Sequence, residues 1–210
     1  MSTSTSMLGA LNPEAATRLE GSFQDFTEKL NGVSGPEWEE MFKRFLRKER
    51  NWELCPVCNP FRETGEVAIQ LPALPRPTLA ELKAKWSWIR SIERDTSPTG
   101  PVTLVLGTVL REGETGSING TEYERRLAPK QNVILGFQHR QWLLEHQTEF
   151  PELMALLGKV YIDFSGLVVV LGGGDRGVPC VSLDGRRWDG FWAWLDGDFR
   201  PDGRVAVSRK

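Results

Sequence analysis

The chain has 210 residues, a formal charge of −2, 40% hydrophobic residues and 26% charged residues. That length builds one ordinary domain or two small ones around a real core, and the balance excludes collagen-like and wholly disordered chains. Residues 1–60, 61–130 and 131–210 carry −2, +1 and −1, so no segment offers the strong positive field of a phosphate-backbone binder.

Met1 to Ala10 is a Ser/Thr tract without Lys or Arg, so it is not expected to act as a secretory signal. No apolar run reaches the roughly 18 residues of a membrane helix, so no membrane role is expected. Residues 1–11 read as a flexible tail. Asn12-Pro13-Glu14 is a helix start, with a capping side chain followed by a proline whose missing N–H is harmless. Leu19, Phe23, Phe26 and Leu30 share one helical face, and Asn31-Gly32 ends it. A second helix from about Gly35 to Arg50 places Trp38, Phe42, Phe45 and Leu46 together. Two short amphipathic helices joined by a tight turn make a helical hairpin over 12–52. Its aromatics exceed what two helices can bury between themselves, which points to a protein partner or to self-association through the hairpin.

Residues 53–77 read as a Cys- and Pro-rich linker, extended around Pro72, Pro75 and Pro77. Thr78-Leu79-Ala80-Glu81 matches a capping box, and Leu82, Trp86 and Ile89 on one face, with Ile92 nearby, suggest a helix that stops before Ser97-Pro98. Val102 to Leu106 reads as a strand, Gly113 to Gly120 as a loop, and Thr121 to Leu127 as the partner strand. Helical spacing returns over Leu135 to His146 and around Leu153, Leu156 and Leu157. In Val160-Tyr161-Ile162-Asp163-Phe164 the alternation predicts a strand with Tyr161 and Asp163 on its polar face. Leu167–Leu171 is another strand. Val178–Leu183 and Arg186–Leu195 flank the hairpin turn Asp184-Gly185, and Gly203–Val207 closes the sheet.

Several residue groups are candidates for chemistry. Cys55-x-x-Cys58 could grip zinc with Cys180, but a structural site needs four ligands and no second pair exists. The expectation is therefore no cofactor, with zinc on Cys55, Cys58 and Cys180 as the alternative. His139 and His146 lie two helical turns apart, roughly 10 Å, too far to share an ion. Gly172 to Gly177 lacks the Lys-Ser/Thr ending of a phosphate loop and reads as a hairpin connection. Asp184, Asp189, Asp196 and Asp202 each precede Gly, the preference of turns, while a metal or acid–base site built from them and Asp198 is the alternative. Lys43, Arg44, Arg47 and Lys48 close a helix that opens with Glu37, Glu39 and Glu40, an order that suits the helix dipole. They are also the candidate phosphate contacts.

Eight tryptophans stand out, three of them in Trp188-Asp189-Gly190-Phe191-Trp192-Ala193-Trp194. In a strand, Trp188, Trp192 and Trp194 share one face, with Gly190 leaving a slot between two indoles. Either this strand is buried on both faces, as large aromatics in cores usually are, or one aromatic face is a platform: indoles stack on bases, sugars and peptides and attract cations, so these three are the candidate ligand-binding residues.

The C-terminal pattern Val160–Phe164, Gly174-Asp-Arg-Gly-Val-Pro179, Asp184-Gly185, Arg187-Trp188, Trp192–Leu195, Asp198-Phe199 and Gly203–Val207 resembles uncharacterised hypothetical proteins of candidate-phyla bacteria. The resemblance covers about the last third of the chain. It implies a bacterial, cytoplasmic setting and no functional residue.

Together these signals predict an α+β protein: a helical hairpin, then a mixed domain over 78–210 with a twisted, mostly antiparallel sheet of about five strands, open or curled into a small barrel. The functional expectation is a non-catalytic binding or protein-interaction module. The alternatives are a nucleic-acid-associated accessory protein and an enzyme of unrecognised type.

Overall fold

The computed structural model describes residues 24–33, 35–47 and 61–209. The expected tail over 1–11, the helix start at Asn12-Pro13, Lys48 and the Cys55/Cys58 pair lie outside the described residues, as does the side chain of Arg44. The chain divides into two units between residues 55 and 56. No helix among the described residues is long and apolar enough to cross a membrane.

In the first unit, α1 (residues 24–31) and α2 (Gly35–Leu46) are joined by a tight turn in which Gly35 N donates to Gly32 O at 2.9 Å. Phe26 packs on Phe42 with ring centres 4.9 Å apart and meets Trp38 edge-on at 6.5 Å. Phe26, Trp38 and Phe42 of the expected apolar faces thus meet between the two helices.

The second unit is α+β. Its elements run β1 (Arg62–Leu71), α3 (Leu79–Lys85), β2 (Ile89–Asp95), β3 (Val102–Thr108), β4 (Ile118–Asn119), α4 (Gly120–Leu127), α5 (Phe137–His146), α6 (Pro151–Met154), β5 (Tyr161–Asp163), β6 (Leu167–Leu171), β7 (Arg176–Asp184), β8 (Arg187–Trp194), β9 (Asp198–Phe199) and β10 (Gly203–Arg209). Eight of the strands make one sheet in the order β1-β3-β10-β5-β7-β6-β2, with β8 added beside β7. β10 and β5 are parallel, and the other neighbours are antiparallel. The sheet does not close into a barrel.

β7 organises the site end of the sheet. One edge pairs with β8 from Gly177↔Trp194 to Asp184↔Arg187. The other is shared between β6 (Val170↔Arg176) and β5 (Ile162↔Val181). β8 thus has a strand on one side only and is an edge strand. Its hairpin turn falls at Asp184-Gly185 as expected, with Gly185 at φ +63°, the left-handed region glycine adopts freely.

Both sheet faces are covered. Leu104, Leu106, Ile162, Val181, Trp188 and Ala206 pack with Leu143 of α5 and Leu153 of α6. Alternate residues Val105, Val178, Val205 and Val207 pack with Tyr123 and Leu127 of α4 and with Ile118 and Phe199 of the small β4–β9 pair. Leu82 of α3, Ile89, Phe137, Leu167, Val169 and Leu171 form a third cluster at the β2–β6 end.

Five expectations change here. The sheet has eight strands, not about five. Residues 62–71 of the expected linker are extended but paired, as β1 against β3. The helix from Thr78 has its capping box, with Glu81 N donating to Thr78 Oγ1 at 3.2 Å, but it stops at Lys85. Ile89 and Ile92 then stand in β2 against Leu171 and Val169, where β-branched side chains pack well. Thr121 to Leu127 is helix, not strand: Asn119 caps it, and Glu122 pairs with Arg125 and Arg126 at helical spacings, both at 2.6 Å. Asp163 is 1% exposed rather than on a solvated face, because α4 covers that side of β5.

Candidate functional site

The aromatic strand β8 is not uniform along its length. Trp188 is 2% exposed; its Nε1 donates to Leu153 O at 3.3 Å, and the Gln147 amide accepts from its backbone N–H at 2.8 Å and donates to its carbonyl. It is a core residue, and its expected place on a ligand surface is corrected. Trp192 is half-buried and Trp194 is 58% exposed. Burial therefore falls along one strand face, because α5 and α6 cover only its first half.

Gly190 does leave a slot between the indoles of Trp188 and Trp192, and the protein fills it. A Cβ on Gly190 would stand 3.2 Å from Cζ of Arg140. Arg140 is 1% exposed, and its guanidinium carbon lies 4.5 Å from the Phe137 ring centre and 5.5 Å from those of Trp86 and Trp192. Its Nη1 donates to Phe191 O at 2.9 Å, and its Nε is buried with no partner among the described residues. Burial lowers its pKa to about 10. Arg140 thus stays charged at neutral pH, and its ring contacts hold Trp192 from the inner side.

Outside this arginine cage lies a groove of about 600 Å³. Trp88, Phe191, Trp192 and Trp194 line it, together with Gly172, Gly173 and Asp175 of the β6–β7 turn. Consecutive residues from Gly190 to Trp194 take part, and their side chains alternate between faces. The groove therefore takes in the unpaired edge of β8 as well as its face. Trp88 stands nearly perpendicular to Trp192, at 85° with ring centres 5.8 Å apart. The β6–β7 turn is anchored beside it, since Gly172 N donates to Trp88 O at 2.9 Å. Among the described residues five large apolar side chains are exposed, and Trp88, Phe191 and Trp194 of this groove are three of them.

Two of the three expected tryptophans thus belong to the site. Trp88, Phe191, Asp175 and the supporting Arg140 were not expected. Trp88 was hidden by reading residues 86–92 as helix, and Asp175 by reading its turn only as a connection. That connection is nonetheless the hairpin turn expected there.

Among the described residues the other candidates do not assemble into a site. Asp202 pairs with Arg200 at 2.9 Å, Asp198 faces Asn119 across the β4–β9 pair, and Asp189 accepts from Gly190 N. Desolvation lowers the His139 pKa to about 4, while its Nδ1 accepts from Gly136 N at 3.1 Å. His146 stacks on Trp142 at 4.2 Å. Burial pushes the Cys180 thiol up to about 12, the opposite of what a nucleophile needs. No cluster of three His, Cys, Asp or Glu able to hold a metal occurs among the described residues. In α2, Lys43 pairs with Glu39 at 2.6 Å and Arg47 with Glu40 at 3.4 Å, so both cations have local partners.

One buried polar cluster was not expected. Tyr123 Oη lies 2.6 Å from Ser165 Oγ and donates to Asp163 Oδ2 at 3.3 Å; Asp163 Oδ1 has no partner among the described residues. Desolvation raises the Asp163 pKa to about 8. The adjoining cavity is about 10 Å³, room for one water and no substrate. The cluster is a structural feature of the α4 side. No family model matches the chain, and neither a curated protein nor a solved structure matches it.

Proposed function

We propose that the protein is a non-catalytic binding module whose ligand occupies the groove on β8. The observation that carries this reading is the gathering of Trp88, Phe191 and Trp194, 42%, 43% and 58% exposed, in one recess. Exposed aromatic surface of this kind costs solubility and marks recognition sites. The groove is backed by a rigid sheet and by the Arg140 cage, so its walls are in place before a ligand arrives.

A binding role also accounts for the chemistry around it. The lining offers aromatic faces, glycine backbone and a single carboxylate, Asp175, with no His, Cys, Ser, Thr or Lys beside it. Chemical-shift mapping with a set of neutral, cationic and anionic fragments tests the reading. Fragments should perturb a contiguous group over 171–177 and 190–194 together with the Trp88 indole. A set in which no fragment moves these signals, or in which responses centre elsewhere, sinks the reading.

A further inference from the structure

The lining of the groove narrows its ligand. Asp175 carries the only ionisable side chain among the lining residues. It sits on the β6–β7 turn, where a Cβ on Gly173 would stand 3.1 Å from its Oδ2. The next residue, Arg176, could neutralise it but is committed elsewhere. Arg176 donates from Nε and Nη2 to Glu93 at 2.8 and 2.6 Å, and from Nη1 to Glu124 at 2.7 Å. Arg176 is thus held between Glu93 and Glu124, the latter also 3.4 Å from Arg94, while Asp175 lines the groove as an exposed carboxylate.

The aromatic walls add to that sign preference. A cation is drawn to the negative face of an indole or phenyl ring, most strongly where water is partly excluded. Arg140 already engages Trp192 from the inside, together with Trp86 and Phe137. Trp88, Phe191 and Trp194 remain as the rings facing a ligand. Anionic ligands meet a carboxylate there, and neutral apolar ligands leave Asp175 uncompensated. From this charge complementarity we infer that the groove binds an organic cation, a substituted ammonium group held between Trp88 and Trp194 with Asp175 as its counter-charge. The inference rests on the proposed binding role and adds the ligand class to it.

The test uses the full chain, the indole N–H signals of Trp88 and Trp194, and two probes of the same shape: choline and its uncharged isostere 3,3-dimethylbutan-1-ol. Choline should shift both signals saturably and bind roughly 3- to 30-fold more tightly than the isostere. Asp175→Asn should weaken choline at least about 3-fold and leave the isostere unchanged. Trp194→Ala, at a largely exposed position, should weaken both. Isostere binding as tight as choline binding, or an Asp175→Asn change that weakens both equally, overturns the cation inference and leaves the groove as a binding site. Failure of both probes, while neutral or anionic fragments still map to the groove, likewise overturns the cation alone. Failure of every fragment class overturns the binding role with it.

Discussion

The guanidinium of Arg140 occupies the space that Gly190 leaves on β8, 3.2 Å from where a Cβ would be. One residue without a side chain thus admits one of the largest side chains into the sheet–helix interface. The arginine in turn fixes Trp192, the innermost wall of the groove. Gly190→Ala should push Arg140 and Leu144 outwards, since the new methyl would also meet Leu144 Cδ1 at 3.0 Å. The expected cost is about 1–3 kcal/mol, typical of overpacking, together with a changed Trp192 indole signal. Denaturant unfolding checks the first and NMR the second; an unchanged midpoint would show that the slot has slack.

Arg140 also allows a test with an unusual sign. It is a buried charge with one side-chain hydrogen bond and an unpartnered Nε. Replacing buried ionic groups by apolar ones of similar volume is often neutral or stabilising by about 1–4 kcal/mol. Arg140→Met should therefore match or exceed the parent in thermal stability. Arg140→Ala, which leaves a hole beneath Trp192, should lose about 2–4 kcal/mol. A large loss in the Met variant would mean that the ring contacts outweigh the desolvation of the guanidinium.

The three tryptophans of β8 should separate cleanly on truncation. Trp188→Ala removes a core aromatic and should cost about 3–5 kcal/mol. Trp194→Ala, at an exposed position, should stay within about 0.5 kcal/mol of the parent. Equal costs would contradict the burial gradient along the strand.

Asp163 and His139 set opposing pH dependences. The folded protein holds Asp163 protonated up to a pKa of about 8, against 3.8 when unfolded, and this stabilisation is lost as pH rises through that window. His139 is held neutral down to about 4, against 6.5 when unfolded, and that stabilisation is lost as pH falls. Between about pH 4 and 6.5 the two slopes cancel. From 6.5 to 8 only the Asp163 slope remains, so unfolding free energy should fall across that interval. Asp163→Asn should flatten it; a fall that persists in this variant would place its origin elsewhere.

How much of this could be read from the residues alone depended on whether the signal was local. The Asp184-Gly185 turn, the capping box at Thr78 and the strand Leu167–Leu171 are written in adjacent residues and stand where expected. β2 was missed because Leu82, Trp86 and Ile89 fit a helical period, and only pairing with β6 makes Ile89 a strand residue. β1 does carry a strand signal, since Val67, Ile69 and Leu71 alternate and are its buried residues, but Pro72, Pro75 and Pro77 directly after it draw the stretch into a linker reading, and its partner β3 lies more than 30 residues away. In the site, the face shared by Trp188, Trp192 and Trp194 was legible. Their unequal burial was not, since it depends on where α5 and α6 end over the sheet. The same holds for Arg140: a charged residue on a helix gives no sign that a glycine some 50 residues later will receive it.

The most direct measurement is fluorine NMR of the full chain labelled with 5-fluorotryptophan, in which each of the eight indoles reports separately. On titration with choline, the signals of Trp88, Trp192 and Trp194 should move together along one binding curve, while Trp188 stays still. Movement of Trp188 with the rest, or stillness of Trp88 and Trp194 while remote tryptophans respond, would contradict a cation site on the exposed half of β8.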